Sequence, residues 1–292
     1  MSHRFVLVDV FTEEAFGGNQ LAVFLDATGI SDRRMQAYAR ELNFSETTFV
    51  LPPRKPGHTH RVRIFTPTME VPFAGHPNIG TAVALAASGQ AGNLVFEEDV
   101  GTVRIATEAG GNRGFAELTL ERKAEVRPCD IPPERLAEML SLPKDRVGAR
   151  PAFFASVGLP FLVVPLADRE AVAAAKLHPV WETLLPPGSW SRDVYIVARN
   201  FSPGGRLKAR MFAPADGVPE DPATGSAAAA LAGSLAAALP EADGEFDWTV
   251  EQGAEIGRPS LISATAVKRA GQVVAIRVGG SAVIVGEGAF NP

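Results

Sequence analysis

A motif that occurs twice, nearly half a chain apart, constrains the fold of this 292-residue protein more than any other feature. The first copy reads GHPNIGTAVAL at residues 75–85, and the second reads EDPATGSAAAAL at residues 220–231. When the copies are aligned on their prolines, His76 matches Asp221. Each copy places a proton-handling side chain before a proline that opens an apolar helix. The repeat predicts two related halves that present two polar helix ends to one cleft.

The repeat extends beyond the motif. Residues 63–67, RIFTP, match residues 210–214, RMFAP, and residues 18–24 resemble residues 158–164 more weakly. Matching blocks in one order indicate a two-fold duplication and not a solenoid with a short period.

The predicted halves cover residues 1–125 and 126–292, with central helices near residues 77–88 and 222–239. Both helices are apolar or small on every face, which is typical of a buried helix. The segments around them alternate or run apolar over short stretches and predict strands. The sequence therefore predicts an α+β fold in which strands surround one buried helix in each half.

Composition and charge argue against several classes of partner. The net charge is −5 and the basic residues are scattered, which argues against nucleic acid or an anionic membrane. Cys129 is the only cysteine, so no intrachain disulfide or thiolate metal cage is predicted. His58 and His60 alternate without a neighbour to complete a ligand set, and no metal is predicted. Without an apolar run of roughly 18 residues or a signal-peptide cleavage site, the sequence predicts a cytoplasmic protein.

The two predicted helix ends suit an anionic ligand. Proline in a first turn is pre-set for the helix, the neighbouring N–H groups point outward, and the helix dipole adds positive charge there. Gly75 and Gly225 leave the backbone open to close approach, and Ser226 adds a hydroxyl. These features predict a site for a carboxylate or for developing negative charge.

Three side chains are candidates for proton transfer. His76 has an unperturbed pKa near neutrality, which suits a general acid or base. Asp221 either handles a proton or simply caps its helix. Glu46 lies between Phe44 and Phe49 at the entry of an apolar strand, where partial burial would raise its pKa. A solvated glutamate at a strand edge is the alternative.

Several of these segments together resemble the phenazine biosynthesis PhzF-like family, from Phe5 to beyond Val278. The resemblance implies the diaminopimelate-epimerase-like fold. That fold has two pseudo-symmetric halves, each a mostly antiparallel, barrel-like sheet around a central helix, with the site between them. Its last strand can return to the N-terminal half. The segments that carry the resemblance are NFSET (43–47), RIFTP (63–67), AGHP (74–77), EDPATGSA (220–227), EQG (251–253) and GRPS (257–260).

The resemblance also implies an isomerisation without a cofactor. Glu46 would take a proton from a dihydro-hydroxyanthranilate ring and return it elsewhere on the conjugated system. His76, Asp221 and Ser226 would position this small carboxylate and assist proton transfer, and the backbone at Gly75 would line the pocket. Asn19 and Gly225 complete the predicted substrate-binding residues. The family further implies a homodimer.

Two other functions remain as alternatives. One is an epimerase or racemase of the same fold that uses Glu46 and Asp221. Racemases of this fold use two cysteines at the places that His76 and Asp221 occupy here. Cys129 lies instead in the predicted linker between the halves, near residues 122–151, so a two-thiol mechanism is disfavoured. The other is a non-catalytic small-molecule-binding protein that kept the pocket.

Overall fold

The structure is a computed structural model that describes residues 2–148 and 150–291. The chain divides into two compact units. Unit 1 contains the chain up to Leu120 and again from Val278, and unit 2 is Glu121–Arg277. Unit 1 therefore takes residues from both ends of the sequence.

Unit 1 alternates short strands with two helices. Its elements are β1 (His3–Val10), β2 (Asn19–Phe24), α1 (Asp32–Leu42), β3 (Glu46–Leu51), β4 (His60–Phe65), β5 (Glu70–Val71), α2 (Gly75–Ala87), β6 (Gly92–Glu98), β7 (Gly101–Gly110) and β8 (Arg113–Leu120).

Unit 2 begins with a strand and a short helix and then, like unit 1, alternates strands with helices. Its elements are β9 (Glu125–Pro128), α3 (Pro133–Met139), β10 (Phe153–Ser156), β11 (Pro160–Pro165), α4 (Arg169–Ala174), α5 (Trp181–Leu184), β12 (Val194–Arg199), β13 (Gly205–Ala213), β14 (Val218–Asp221), α6 (Gly225–Ala237), β15 (Gly244–Gln252) and β16 (Ser260–Arg269). The last strand, β17 (Gln272–Phe290), starts in unit 2 and ends in unit 1.

The strands of unit 1 close into a ring around α2. β1 pairs with β2, β2 with β3, β3 with β4, β4 with β6, β6 with β7, and β7 with β8. β17 pairs with both β8 and β1 and completes the ring. The β2–β3 and β4–β6 pairs are parallel, whereas the β1–β2, β3–β4, β6–β7, β7–β8 and β1–β17 pairs are antiparallel, so this is a mixed, mostly antiparallel barrel.

Helix α2 fills the interior of unit 1 because its sequence offers no polar face. Every residue from His76 to Ala86 is buried, and the helix contacts β1, β2, β3, β7 and β8. Gly80 allows the close approach to the strands. A Cβ at this position would lie 2.6 Å from side-chain atoms of both Leu21 and Val10. The buried central helix predicted for this half is therefore present.

The strand pairings of unit 2 follow the order found in unit 1. β10 pairs antiparallel with β11, β11 parallel with β12, β12 antiparallel with β13, β13 parallel with β15, and β15 antiparallel with β16. Helix α6 contacts β9, β10, β11, β15 and β16. Gly233 has the role here that Gly80 has in α2, since a Cβ would lie 2.6 Å from Ile276. These elements make the protein an α+β fold, while the predicted pseudo-symmetry of the two halves stays a prediction.

The two motif helices begin at different points relative to their prolines. α2 begins at Gly75, so Pro77 lies inside its first turn. α6 begins only at Gly225, so the prediction that Pro222 opens this helix is wrong. Local sequence suggested a helix from Pro222, but Thr224 is a non-helical N-cap, and Gln252 of β15 is hydrogen-bonded to Asp221 and Thr224 on either side of Pro222.

Candidate active site

Glu46 is the first residue of β3, at a tight junction with α1. Asn43 ends α1 in the left-handed conformation, with φ of 53°, and its N–H donates to the Ala39 carbonyl. Asparagine tolerates this conformation better than most residues. Glu46 pairs in register with Leu21 of the parallel strand β2, and its side chain is only 19% exposed. Glu46 is therefore a largely buried carboxyl and not a solvated group at a strand edge.

His76 lies beside Glu46 in unit 1. The imidazole comes from the first turn of α2, and its side chain is 7% exposed. Its Nε2 atom is 3.6 Å from Oε2 of Glu46, within ion-pair range but longer than a hydrogen bond. Catalytic contacts of this kind are often long in a free site and shorten when substrate binds. The structure thus brings together two of the three predicted acid–base side chains.

Burial controls the ionisation of Glu46. Loss of hydration raises the pKa of its carboxyl from the ordinary 4.5 to about 7, and a hydrogen bond with the Ser45 side chain opposes the rise. A carboxyl with a pKa near 7 is present in both protonation states at neutral pH. It can therefore accept a proton in one step and return it in another.

Ser45 links Glu46 to Asn19. The Ser45 hydroxyl donates to Oδ1 of Asn19 at 3.3 Å, and Asn19, at the start of β2, is 2% exposed. Gly18 sets the entry to β2, because its φ is +62° and a Cβ there would lie 2.2 Å from the Val10 carbonyl oxygen. A hydroxyl carries one proton, so Ser45 can donate to Asn19 or to Glu46 but not to both. Ser45 was not predicted as a site residue, although its place beside Glu46 in NFSET was a signal.

The start of α2 keeps a positive potential. Gly75 is the first helical residue, and the Asn78 side-chain amide donates to the carbonyl of the N-cap residue Ala74 at 3.0 Å. Within the described chain, the first turn of α2 carries no acidic side chain. Glu98 lies near Asn78, but burial raises the pKa of its carboxyl to about 8, with Asn78 opposing the rise. Glu98 is therefore mostly neutral at pH 7 and does not offset the positive partial charge at the N-terminus of α2.

Asp221 lies in unit 2 at the end of β14 and is half-buried. It does not cap α6, because the N-cap position belongs to Thr224. Oδ2 of Asp221 instead accepts a hydrogen bond from the Thr224 hydroxyl at 2.5 Å. Gly225 and Ser226 follow as the first two residues of α6, with Gly225 buried and Ser226 half-buried. The alternative in which Asp221 simply caps its helix is therefore wrong, and its carboxylate is held at the approach to the helix.

Gln252 fixes this approach from the neighbouring strand β15. Its Nε2 atom donates to the Asp221 carbonyl at 2.8 Å and contacts the Thr224 hydroxyl at 3.0 Å. Its Oε1 atom accepts from the Thr224 N–H at 3.4 Å, and the residue is 1% exposed. Gln252 therefore orients the segment that carries Asp221. No role was predicted for Gln252 from the sequence, although EQG is one of the segments that carry the family resemblance.

An arginine–glutamate pair braces the hairpin before each motif. In unit 1, Arg63 of β4 makes two hydrogen bonds to Glu70 of β5, at 2.7 and 2.6 Å. In unit 2, Arg210 of β13 makes two to Glu220 of β14, both at 2.8 Å. Bidentate pairs of this kind fix geometry as well as charge. Glu220 directly precedes Asp221, so this brace also fixes the strand that carries Asp221.

Two further polar groups in unit 2 escaped the sequence analysis. Asp193 precedes β12, and its pKa is raised to about 7 by burial and then by the negative charges of Asp216 and Asp221, while Arg192 lowers it. Tyr195 is fully buried, and burial together with the charge of Asp221 raises the pKa of its phenol. The RIFTP and RMFAP segments are 147 residues apart, and the same separation relates Glu46 to Asp193. This relation is the sequence signal that could have identified Asp193.

Cys129 and His58, which the sequence also singled out, belong to no candidate site among the described residues. Cys129 is half-buried against the core of unit 2, and burial raises the pKa of its thiol. His58 binds the Thr102 hydroxyl at 2.9 Å. In residues 2–148 and 150–291, no group of three His, Cys, Asp or Glu side chains is placed to hold a metal ion. None of the helices in that part of the chain combines the length and apolar character needed to cross a membrane.

Comparison with known proteins gives one consistent family. The profile of the family described as phenazine biosynthesis-like protein, PhzC-PhzF, matches residues 8–288. An uncharacterized isomerase of Mesorhizobium japonicum is 40% identical, with 98% of each chain covered. The trans-2,3-dihydro-3-hydroxyanthranilate isomerase of Pseudomonas aeruginosa is 39% identical, again with 98% of each chain covered.

A solved structure shows the same fold. The crystal structure of a PhzF-family phenazine biosynthesis protein of Bacillus anthracis matches with a TM-score of 0.88 over all of both chains, at 24% identity. At that identity the likeness concerns the fold alone, whereas the family match and the two relatives span nearly the whole sequence. The chain therefore belongs to the phenazine biosynthesis-like family and is an enzyme of the isomerase class.

Proposed function

We propose that this protein is a cofactor-independent isomerase that moves a proton within a small cyclic or unsaturated carboxylate. The first candidate substrate is trans-2,3-dihydro-3-hydroxyanthranilate, because a relative 39% identical to this chain is named for that activity. The observation that carries the proposal is the pair in unit 1. A largely buried Glu46, whose carboxyl pKa is about 7, lies 3.6 Å from His76.

Glu46 is the proton carrier in this proposal. Its ionised carboxylate removes a proton from a ring carbon, the double bonds of the substrate shift, and the same carboxyl returns the proton at another carbon of the conjugated system. The substrate keeps its composition, and Glu46 ends in its starting state. General acid–base transfer of this kind contributes about 10²- to 10⁴-fold to a rate.

The substrate carboxylate suits the positive end of a motif helix. The backbone at Gly75 and the first turn of α2 offer N–H groups and a positive dipole, and Glu98 is mostly neutral there. Preorganised donors of this type also stabilise negative charge as it develops on the substrate. His76, Asn19, Asp221, Gly225 and Ser226 are the residues proposed to hold and polarise the substrate. The prediction that both motif helices serve one cleft stays a prediction.

Proton exchange in heavy water tests the proposal. The parent enzyme should isomerise trans-2,3-dihydro-3-hydroxyanthranilate and incorporate deuterium wherever the proton on Glu46 exchanges with solvent before it is returned. Glu46→Gln should lose at least about 100-fold of both the isomerisation and the exchange rate. Glu41→Gln is the matched control, since it makes the same change at an exposed residue of α1 and should behave as the parent. Equal exchange by Glu46→Gln and the parent would show that Glu46 is not the base.

An epimerase is the second candidate. It would use Glu46 and Asp221, and it is favoured by the presence of one such carboxyl in each unit, Glu46 at the start of β3 and Asp221 at the end of β14. Such an enzyme would scramble the configuration of one carbon without moving a double bond. Chiral chromatography and the ultraviolet spectrum of the same reaction separate the two outcomes.

The homodimer and the absence of a cofactor also belong to this proposal. Sedimentation of the purified protein should give the mass of a dimer. Activity should survive exhaustive dialysis against a chelator, and a loss restored by one metal ion or small molecule would contradict the cofactor-independent mechanism.

A further inference from the structure

A cavity of about 580 Å³ in unit 2 is lined by three cationic side chains and a carboxylate. Arg122, Lys123 and Arg127 supply the positive charge, and Glu125 supplies the negative charge. The volume lies in the range of small-molecule sites. The chain as a whole carries a net charge of −5, so a positive lining stands out from the rest of the protein. A cavity lined mainly by one sign of charge attracts ligands of the opposite sign.

The strand register explains why these groups share one face. Glu125 and Arg127 are two positions apart in β9, so their side chains leave the strand on the same side. Strand β10 places Ser156 opposite Glu125 and Phe154 opposite Arg127. The ring of Phe154 meets the indole of Trp190 edge-on, with 6.5 Å between the ring centroids. Trp190 therefore packs on the face of β9 and β10 that carries Arg127.

The indole of Trp190 holds Arg127 in place. Cζ of Arg127 lies over the indole, 3.8 Å from the ring centroid, in a cation–π contact. Nη2 of Arg127 is 3.6 Å from Oε2 of Glu125, which is longer than a hydrogen bond. Among the residues that the structure describes, none accepts a hydrogen bond from Arg127. A guanidinium that is fixed by stacking and keeps its donors suits the paired oxygens of a carboxylate or phosphate.

Arg122 approaches the cavity from the segment before β9. Its Nη1 atom lies 3.7 Å from the position that a Cβ on Gly158 would take, so the guanidinium is close to the turn between β10 and β11. Across residues 2–148 and 150–291, Arg122 has neither a hydrogen bond nor an ion pair. The neighbouring Lys123 contacts Oε1 of Gln272 at 3.4 Å. The cavity thus has two guanidinium groups whose donors are available to an anion.

Ser156 gives an independent sign that the cavity receives a ligand. The residue lines the cavity and is only 6% exposed. Its Oγ atom accepts a hydrogen bond from the Gly158 N–H at 3.0 Å. The hydroxyl proton itself is donated to no residue in the described part of the chain. An oxygen atom of a bound ligand would accept this proton.

The size and the apolar part of the lining indicate an organic ligand. Trp190, Val157 and Pro160 add apolar surface to the cavity, and an inorganic ion would fill only a small part of it. Guanidinium groups stack on flat rings, so the face of Arg127 that points away from Trp190 can carry a second ring.

We propose that this cavity binds a small organic oxyanion, a planar ring that carries a carboxylate or a phosphate, with Arg122, Arg127 and Ser156 as its hydrogen-bond donors. None of these residues belongs to the candidate active site. The inference therefore does not depend on the proposed isomerase activity, and its test needs no turnover.

Nitrogen-15 NMR of the indole groups in the full chain tests the site, because the protein has three tryptophans. Trp190→Phe identifies the Trp190 signal by its loss. Anthranilate and phenyl phosphate are the two test ligands, one for each anionic group. We expect at least one of them to shift the Trp190 signal in a saturable way. The ligand that does so identifies the anionic group that the cavity prefers.

Arginine variants show whether the predicted donors hold the ligand. Arg122→Gln and Arg127→Gln should each weaken binding at least about tenfold, the effect of losing a charge-assisted hydrogen bond. Arg33→Gln, the same change at an exposed residue of α1, is the matched control and should bind as the parent does. Unchanged signals of Trp181 and Trp248 verify that each variant is folded.

Acetate and inorganic phosphate test the contribution of the ring. Each should bind at least about tenfold more weakly than the ring-bearing ligand with the same anionic group, because it cannot stack on Arg127. The inference is overturned if neither anthranilate nor phenyl phosphate shifts the Trp190 signal. It is also overturned if both folded arginine variants bind as tightly as the parent, or if the ring adds no affinity.

Discussion

Glu46 Oε2 lies 3.6 Å from His76 Nε2, although the two residues belong to different elements of unit 1. Strand β3 delivers the carboxyl, and the first turn of α2 delivers the imidazole. Both side chains are largely buried, and the Glu46 pKa of about 7 follows from that burial. The same burial that suits this carboxyl to proton transfer lowers the stability of the fold when the carboxyl ionises.

Stability should therefore depend on pH through Glu46. Its pKa is about 7 in the folded state and near 4.5 when hydrated, so the folded state binds the proton more tightly. Stability from this group is fully present below about pH 4.5 and is lost as the pH rises to about 7. Glu46→Gln should gain stability relative to the parent over this interval, by an amount on the order of 3 kcal/mol. Urea unfolding at several pH values measures the difference, and a difference that is flat with pH would contradict it.

Gly80→Ala should destabilise unit 1. The added Cβ would lie 2.6 Å from Leu21 and Val10 side-chain atoms, and overpacking of this kind costs about 1–3 kcal/mol. The better helix propensity of alanine returns at most about 1 kcal/mol. Gly286→Ala is the matched control, because its Cβ would meet Leu7 at an ordinary 3.7 Å. Thermal unfolding should show a lower Tm for Gly80→Ala alone.

Glu220→Gln should cost far more stability than a similar change at the surface. Arg210 and Glu220 are 9% and 11% exposed, so the substitution leaves a buried guanidinium without its counter-charge. Breaking a buried pair in this way costs about 3–5 kcal/mol. Glu287→Gln removes the partner of Arg4 in a pair that is 75% and 70% exposed, and no measurable change is expected there. Similar losses in the two variants, by chemical denaturation, would refute the bracing role.

Gln252→Ala should impair the Asp221 segment. The substitution removes the side-chain contacts to the Asp221 carbonyl and to Thr224, and an unsatisfied buried group costs about 1–3 kcal/mol. We expect a lower Tm together with a fall in kcat/KM. Gln272→Ala is an exposed control in unit 2 and should change neither quantity. An unchanged kcat/KM in a folded Gln252→Ala protein would separate this residue from the reaction.

The sequence predicted the features of the fold that are encoded locally. The absence of a polar face on α2 and α6 is visible in the residues themselves, so both buried helices could be foreseen. The start of α6 could not be foreseen, because the segment before it is hydrogen-bonded to Gln252, which is remote in sequence. Ser45 and Tyr195 are recognised only by what surrounds them, which a single sequence does not show.

Strand β17 has a consequence for how the protein is made. Its residues from Val278 onward close the ring of unit 1 by pairing with β1 and β8, while unit 2 is one uninterrupted stretch of chain. The ribosome therefore synthesises all of unit 2 before it synthesises the part of β17 that completes unit 1. The earlier part of unit 1 therefore lacks one strand of its ring until the residues from Val278 onward have been synthesised, and no single recombination crossover can transfer that unit whole into a relative.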